Sequence, residues 1–142
     1  MQVSQHFTIQ EFVGLLVYAK FGDKSAQFVD PKIIQVVETL RQLIGKPVKV
    51  NDWNTGGHYQ ESGFRNPTTT TGAALSQHKF GRAADVKVEG MTSKEVYDFI
   101  IANKLKLMAS GLTTLENINA TPTWVHMDVR VTNSKDLLIV NP

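Results

Sequence analysis

The spacing of apolar positions changes several times along the chain, and each change predicts an element. Between Asp30 and Gly45, residues Ile33, Val36, Val37, Leu40 and Ile44 form one helical stripe. Asp30-Pro31 opens that helix with proline at its first position, and Gly45 stops it. Upstream, Thr8 and Glu11 have the spacing of a capping box, and Phe7 and Phe12 that of a hydrophobic staple, which predicts a helix running to about Ala19. Thr92 and Glu95 repeat the capping box and start a third helix through about Asn103, with Val96, Phe99 and Ile100 on its apolar face. Pro47–Val50 reads as a short strand, and further strands are predicted near Lys106–Leu115, Trp124–Val131 and Leu137–Val140. The expected class is α+β, a small antiparallel sheet with helices packed on one face.

Two of these segments alternate. Taken as a strand, Arg82–Val88 points Ala84, Val86 and Val88 to one side and Ala83, Asp85 and Lys87 to the other. Trp124–Val131 likewise sends Val125, Met127, Val129 and Val131 to the core and leaves Trp124, His126, Asp128 and Arg130 on the polar face. Asp85 and His126 can therefore share one concave surface. His78, in Ser76–Gly81, lies just before the Asp85 strand, with Gly81 allowing the turn. Residues 51–77 are rich in Gly, Thr, Asn and Ser without sustained periodicity, and a loop of that length inside a compact domain is usually functional.

Composition narrows the chemistry. At 142 residues the chain suits one domain over 1–142, and 42% apolar with 20% charged residues is ordinary globular usage. No apolar run approaches the roughly 20 residues of a membrane helix, and the N-terminus lacks the basic-then-apolar pattern of a secretory signal. A net charge of +2 gives only mild attraction to anionic polymers, so neither a nucleic-acid nor a membrane partner is expected, and a monomer is the default. With no cysteine, a zinc ion here must use nitrogen and oxygen ligands. Two imidazoles and one carboxylate with a fourth position open form a recognised class of catalytic zinc site, in which the metal lowers the pKa of water and polarises a carbonyl. The spacing of His78 and Asp85 also fits a surface pair or a hydrogen-bonded couple, and spacing does not choose between these readings.

The motif Ser76-x-His78-x-x-Gly81-x-Ala83-x-Asp85, followed by Trp124-x-His126-x-Asp128, resembles the zinc D-alanyl-D-alanine carboxypeptidase and dipeptidase family, which includes the L-alanyl-D-glutamate phage endolysins. The segments His6–Phe12, Asp30–Val48, Ser62–Pro67 and Trp124–Arg130 carry the likeness over most of the chain. The resemblance implies the fold shared with the hedgehog signalling domain, a Zn2+ cofactor held by His78, Asp85 and His126, and hydrolysis of peptidoglycan stem or cross-link peptides. It places Arg65 beside the metal, to bind substrate or stabilise an oxyanion, and Ser76 near the substrate; Trp124 is a further candidate for the substrate wall. For Arg65, Ser76 and Trp124, a loop tie, a backbone hydrogen bond and strand packing respectively remain open as structural readings.

The chain departs from the pattern in one place. Several members of that family carry a carboxylate three residues before the last histidine, where Thr123 stands here, and threonine does not titrate in the range a general base needs. Glu116, His58 and Glu61 are the alternatives for moving a proton, with Asp128 the candidate for orienting a ligand imidazole and also considered as an acid/base group. His6 is expected to take no catalytic part, and Lys87 and Arg130 either attract a peptide carboxylate or are solvated charges. The missing carboxylate keeps open a non-catalytic zinc-containing module that binds cell wall or protein. The lack of a signal suits a phage-encoded or bacterial hydrolase that reaches the wall after release or as part of a virion.

Overall fold

The computed structural model describes residues 1–142. Along the chain run α1 (Leu15–Phe21), α2 (Pro31–Ile44), β1 (Val48–Lys49), β2 (Ala83–Val88), α3 (Ser93–Ala102), α4 (Lys104–Ser110), β3 (Thr114–Glu116), β4 (Val125–Asp128) and β5 (Leu138–Val140). The strands form one sheet in the order β1-β2-β4-β3-β5. Its pairs are antiparallel except β3 with β5, which are parallel, so the sheet is mixed rather than purely antiparallel. The helices α2 and α3 contact β2, and they bury Ile33, Val36, Val37, Leu40, Val96 and Ile100 against Ala84, Val86, Val125 and Met127 in one core cluster. The opposite face of β2 and β4 is left for polar side chains.

The helix α2 forms as its sequence dictates. Asp30 accepts a hydrogen bond from the Lys32 amide at 2.9 Å, and Gly45 ends the helix in the left-handed region at φ 68°. In α3, Thr92 accepts from the Glu95 amide at 3.1 Å, completing its cap.

Three local expectations are corrected. The predicted N-terminal helix is broken into a 3-10 turn over Ile9–Glu11 and α1. Its capping contacts do form, with the Thr8 amide donating to the Glu11 carboxylate at 2.7 Å and the Phe7 and Phe12 rings meeting edge-on at 5.7 Å. The carbonyls that would continue the helix are claimed from elsewhere: Phe12 accepts from the Phe64 amide at 2.7 Å, and Val13 from Asn51 Nδ2 at 3.0 Å and Trp53 Nε1 at 2.8 Å. The first half of the predicted strand Lys106–Leu115 belongs to the helix α4, and of that range only Thr114 and Leu115 enter the sheet, as the start of β3. The alternation Lys104-Leu105-Lys106-Leu107 imitates a strand, but lysine, leucine, methionine and alanine favour helix, and that helix buries Leu107 while leaving Leu105 exposed. Val131 is 89% exposed rather than in the core, because β4 ends at Asp128.

The long segment before β2 contains no β-strand, yet it is pinned. Asn51 is buried; its Nδ2 donates to Val13, and its Oδ1 accepts from the Ser62 amide at 2.9 Å. Ser62 in turn accepts from the Asp85 amide at 2.7 Å, so the loop runs along β2 where β1 has ended. Gly63 has no room for a side chain, since a Cβ would collide with the Phe12 carbonyl.

Burial and hydrogen bonding also set the acid response of the fold. Glu38 on α2 accepts from Ser4 Oγ at 2.7 Å, the His6 amide at 3.0 Å and Gln42 Nε2 at 2.9 Å, and its Oε1 lies 2.7 Å from His6 Nδ1. Burial alone would raise its pKa, but these partners outweigh it and bring the carboxyl from 4.5 down to about 2. A depressed folded pKa means the stability is fully present above about pH 4.5 and is lost as pH falls through about 2. Glu38→Gln is therefore expected to lower stability at neutral pH by about 1–3 kcal/mol and to flatten the acid limb in urea titrations between these pH values. An unchanged acid limb would contradict this assignment.

Candidate metal centre

Three elements deliver three donors to one point. Asp85 lies on β2 and His126 directly opposite it on β4. His78 comes from a 3-10 turn over Gln77–Phe80, capped by Ser76, whose Oγ accepts from the His78 amide at 3.4 Å. The turn closes at Gly81, at φ 68°, where a Cβ would collide with the Phe28 carbonyl. Asp85 Oδ1 is 3.2 Å from His78 Nε2 and 3.0 Å from His126 Nδ1, and the two nitrogens are 3.2 Å apart. A tetrahedral ion with ligand distances of about 2.0–2.1 Å holds its donors about 3.3 Å from one another.

The outer ring nitrogens decide what the inner ones present. His78 Nδ1 donates to the Gly63 carbonyl at 2.8 Å, and His126 Nε2 donates to Asp128 Oδ2 at 2.9 Å. With those protons placed outward, both inner nitrogens turn lone pairs toward the Asp85 carboxylate. Three buried acceptors in mutual contact repel unless a cation lies among them. The residues present therefore fit a zinc ion: two nitrogens, one oxygen, no thiolate, and one side facing a cleft.

The electrostatics show the same demand for positive charge. Burial by itself would lower the His126 pKa, but hydrogen bonds and charge from Asp128 and Asp85 push it up to about 9. Burial would raise Asp85, yet its bonds to His126 and His78 and their charge hold it well below the usual carboxylate range. Asp128 is fully buried; desolvation is outweighed there by Arg130 and His126, and its pKa is lowered. Arg130 is not a free charge, since its Nε donates to Asp128 Oδ1 at 2.8 Å.

The cleft, about 290 Å³, brings together most of the residues singled out in the sequence: Arg65, Ser76, Glu116 and Trp124 line it with the three donors. Arg65 Nη2 donates to Asp85 Oδ2 at 3.1 Å, while its Nε is held by the Glu61 carbonyl at 2.7 Å. Glu116 Oε1 lies 3.8 Å from His126 Nδ1. His58 is not brought in: it is exposed, lines a neighbouring hollow, and has no hydrogen bond or ion pair to the three donors. Glu61 lines that hollow too, with its carboxylate bonded to Thr69 at 2.8 Å. Thr123 is exposed and does not line the cleft. Sequence reasoning missed the Gly63 carbonyl and the Val140–Pro142 segment on the cleft wall; neither carries a side-chain signature of chemistry.

Replacing Asp128 by Asn keeps the shape but weakens the acceptor behind His126. Asp128→Asn is expected to reduce zinc affinity about 10–100-fold, measured by competition with a chromogenic chelator. Unaltered affinity would remove Asp128 from the metal's support.

A family model described as Peptidase M15 matches residues 5–128, a span that contains all three donors, Arg65, Glu116 and Asp128. No curated protein and no solved structure matches the chain. From the long match and the donor set within it, the chain belongs to the peptidase M15 family of zinc-dependent metallopeptidases.

Proposed function

We propose that the protein is a peptidoglycan peptidase that hydrolyses stem or cross-link peptides at the His78–Asp85–His126 centre, with Glu116 as its proton carrier. The observation that supports this most directly is that the three donors converge on one side of a cleft whose other residues include a carboxylate and a guanidinium. The wall peptide as substrate rests on the likeness of the two-part motif to D-alanyl-D-alanine carboxypeptidases and endolysins.

Zinc, when bound, supplies a Lewis acid that polarises the peptide carbonyl and acidifies water. Around it, the chain's own groups divide the remaining work. Glu116 stands on β3, and the register Thr114↔Asp128, Leu115↔Met127 continues so that Glu116 faces His126 across the sheet. From there its carboxylate takes the proton of the attacking water and returns it to the amine as the C–N bond breaks. Arg65, braced by Asp85 and the Glu61 carbonyl, presents positive charge to the developing oxyanion. Gly63 and Asp128 accept the outer N–H groups of His78 and His126, which turns each inner nitrogen toward the metal position. Ser76 and Trp124 form the wall against which the peptide lies.

Zinc-loaded protein incubated with purified peptidoglycan should release fragments with new peptide termini, seen by mass spectrometry. Glu116→Gln should retain about one zinc per chain while turnover falls about 10²–10⁴-fold. Retention of wall fragments with no new termini would instead support the non-catalytic binding module.

A further inference from the structure

The two imidazoles are oriented by acceptors of different kinds. His78 Nδ1 donates to the Gly63 carbonyl, a backbone group whose direction the chain itself fixes. His126 Nε2 donates at 2.9 Å to Asp128 Oδ2, a side-chain oxygen. A carboxylate turns broadly about its last torsion, so it directs a ring only when something holds its plane. Asp128 is fully buried, and Arg130 wraps it: Arg130 Nε donates to Oδ1 at 2.8 Å, Nη2 donates to Oδ2, and the Arg130 amide donates to Oδ1 at 3.1 Å. One edge of a guanidinium thus grips both oxygens, the two-point geometry that fixes a carboxylate's plane as well as its position.

Arg130 is itself anchored. Its carbonyl accepts from Thr113 Oγ1 at 2.7 Å, and the Thr113 amide donates to the Asp128 carbonyl at 3.1 Å, so the residue before β3 closes the backbone around the pair. Arg130 lines the cleft, yet the edge of its guanidinium that carries Nε and Nη2 turns inward to Asp128. Without that edge, the buried carboxylate would keep only the His126 ring and the Arg130 amide as donors, too few to hold a desolvated charge in one orientation. We propose that Arg130 is a positioning residue for the metal centre: its forked grip fixes Asp128 and, through Asp128, the direction in which His126 Nδ1 faces the metal. The proposal rests on the metal centre and not on peptide hydrolysis. Lysine would keep the charge but not the function, because an ammonium is a point donor on a flexible stem and leaves the carboxylate free to turn.

Zinc affinity, measured by competition with a chromogenic chelator, reads this role without turnover. Arg130→Met is expected to bind zinc about tenfold or more weakly than wild type, and Arg130→Lys to recover only part of the loss. Combined with Asp128→Asn, Arg130→Met should cost little further, since the residue it acts through is already disabled. Cobalt(II) in place of zinc gives a second readout: its visible bands, which report the arrangement of the ligands, should shift in Arg130→Met, whereas loss of a residue that only stabilised the fold would leave them in place. Circular dichroism of the metal-free proteins reports folding, and Arg130→Lys carries the test if the methionine variant does not fold. Wild-type zinc affinity in either variant, unmoved cobalt bands, or an equal loss from Arg130→Met with and without Asp128→Asn overturns the proposal. Failure of the peptidase reading shows separately, as zinc-loaded wild type that cleaves no wall peptide, and leaves these affinity ratios as they are.

Discussion

The register between β2 and β4 is the constraint on which everything else in this molecule depends. Asp85 faces His126 because Ala84 faces Met127 and Val86 faces Val125. Those apolar pairs are buried in the core, so a slip of one residue would expose them and turn the acid and the imidazole into the apolar layer. Hydrophobic burial on one face of the sheet thus fixes the chemistry on the other. On the far side of β4 the same alternation brings Glu116 toward His126, giving a row of Asp85, His126 and Glu116 across three strands.

Positioning His78 is a different problem, solved by the loop. Its turn is shaped by the Ser76 cap and Gly81, but the direction of its ring comes from the Gly63 carbonyl. That carbonyl is held in place because Gly63 lies against Phe12, the Phe64 amide bonds the Phe12 carbonyl, and Ser62 is clamped between Asn51 and Asp85. A segment without regular pairing of its own is therefore as constrained as a strand where it meets the site. The break in the N-terminal helix belongs to the same arrangement, since the carbonyls of Phe12 and Val13 serve the loop instead of a helix.

Much of this is readable in the residues, and what is not has a common cause. The α2 helix, with Asp30-Pro31 before it and Gly45 after it, is encoded by local signals, and so is the alternation of β2 and β4 that separates Asp85 and His126 from the core. The clustering of His78 with them was suggested by the motif. The N-terminal break, the Asn51 bridge and the Gly63 contact depend on partners roughly ten to fifty positions away and leave no local trace. The helix α4 was obscured for another reason: the alternation of lysine and leucine carries a strand period while the residue types favour a helix. Glu116 was one candidate among several in the sequence; the structure puts it 3.8 Å from His126 and His58 in the neighbouring hollow, a difference that depends on strand pairing and not on local sequence.

His78 Nε2, Asp85 Oδ1 and His126 Nδ1 are three acceptors placed close enough to hold one cation between them. X-ray absorption spectroscopy of the zinc-loaded protein tests it most directly. The account predicts one zinc per chain whose first shell contains two imidazole nitrogens and oxygen scatterers at about 2.0–2.2 Å, with one imidazole lost in either His78→Ala or His126→Ala. A first shell with one imidazole, or with three or more, would contradict it.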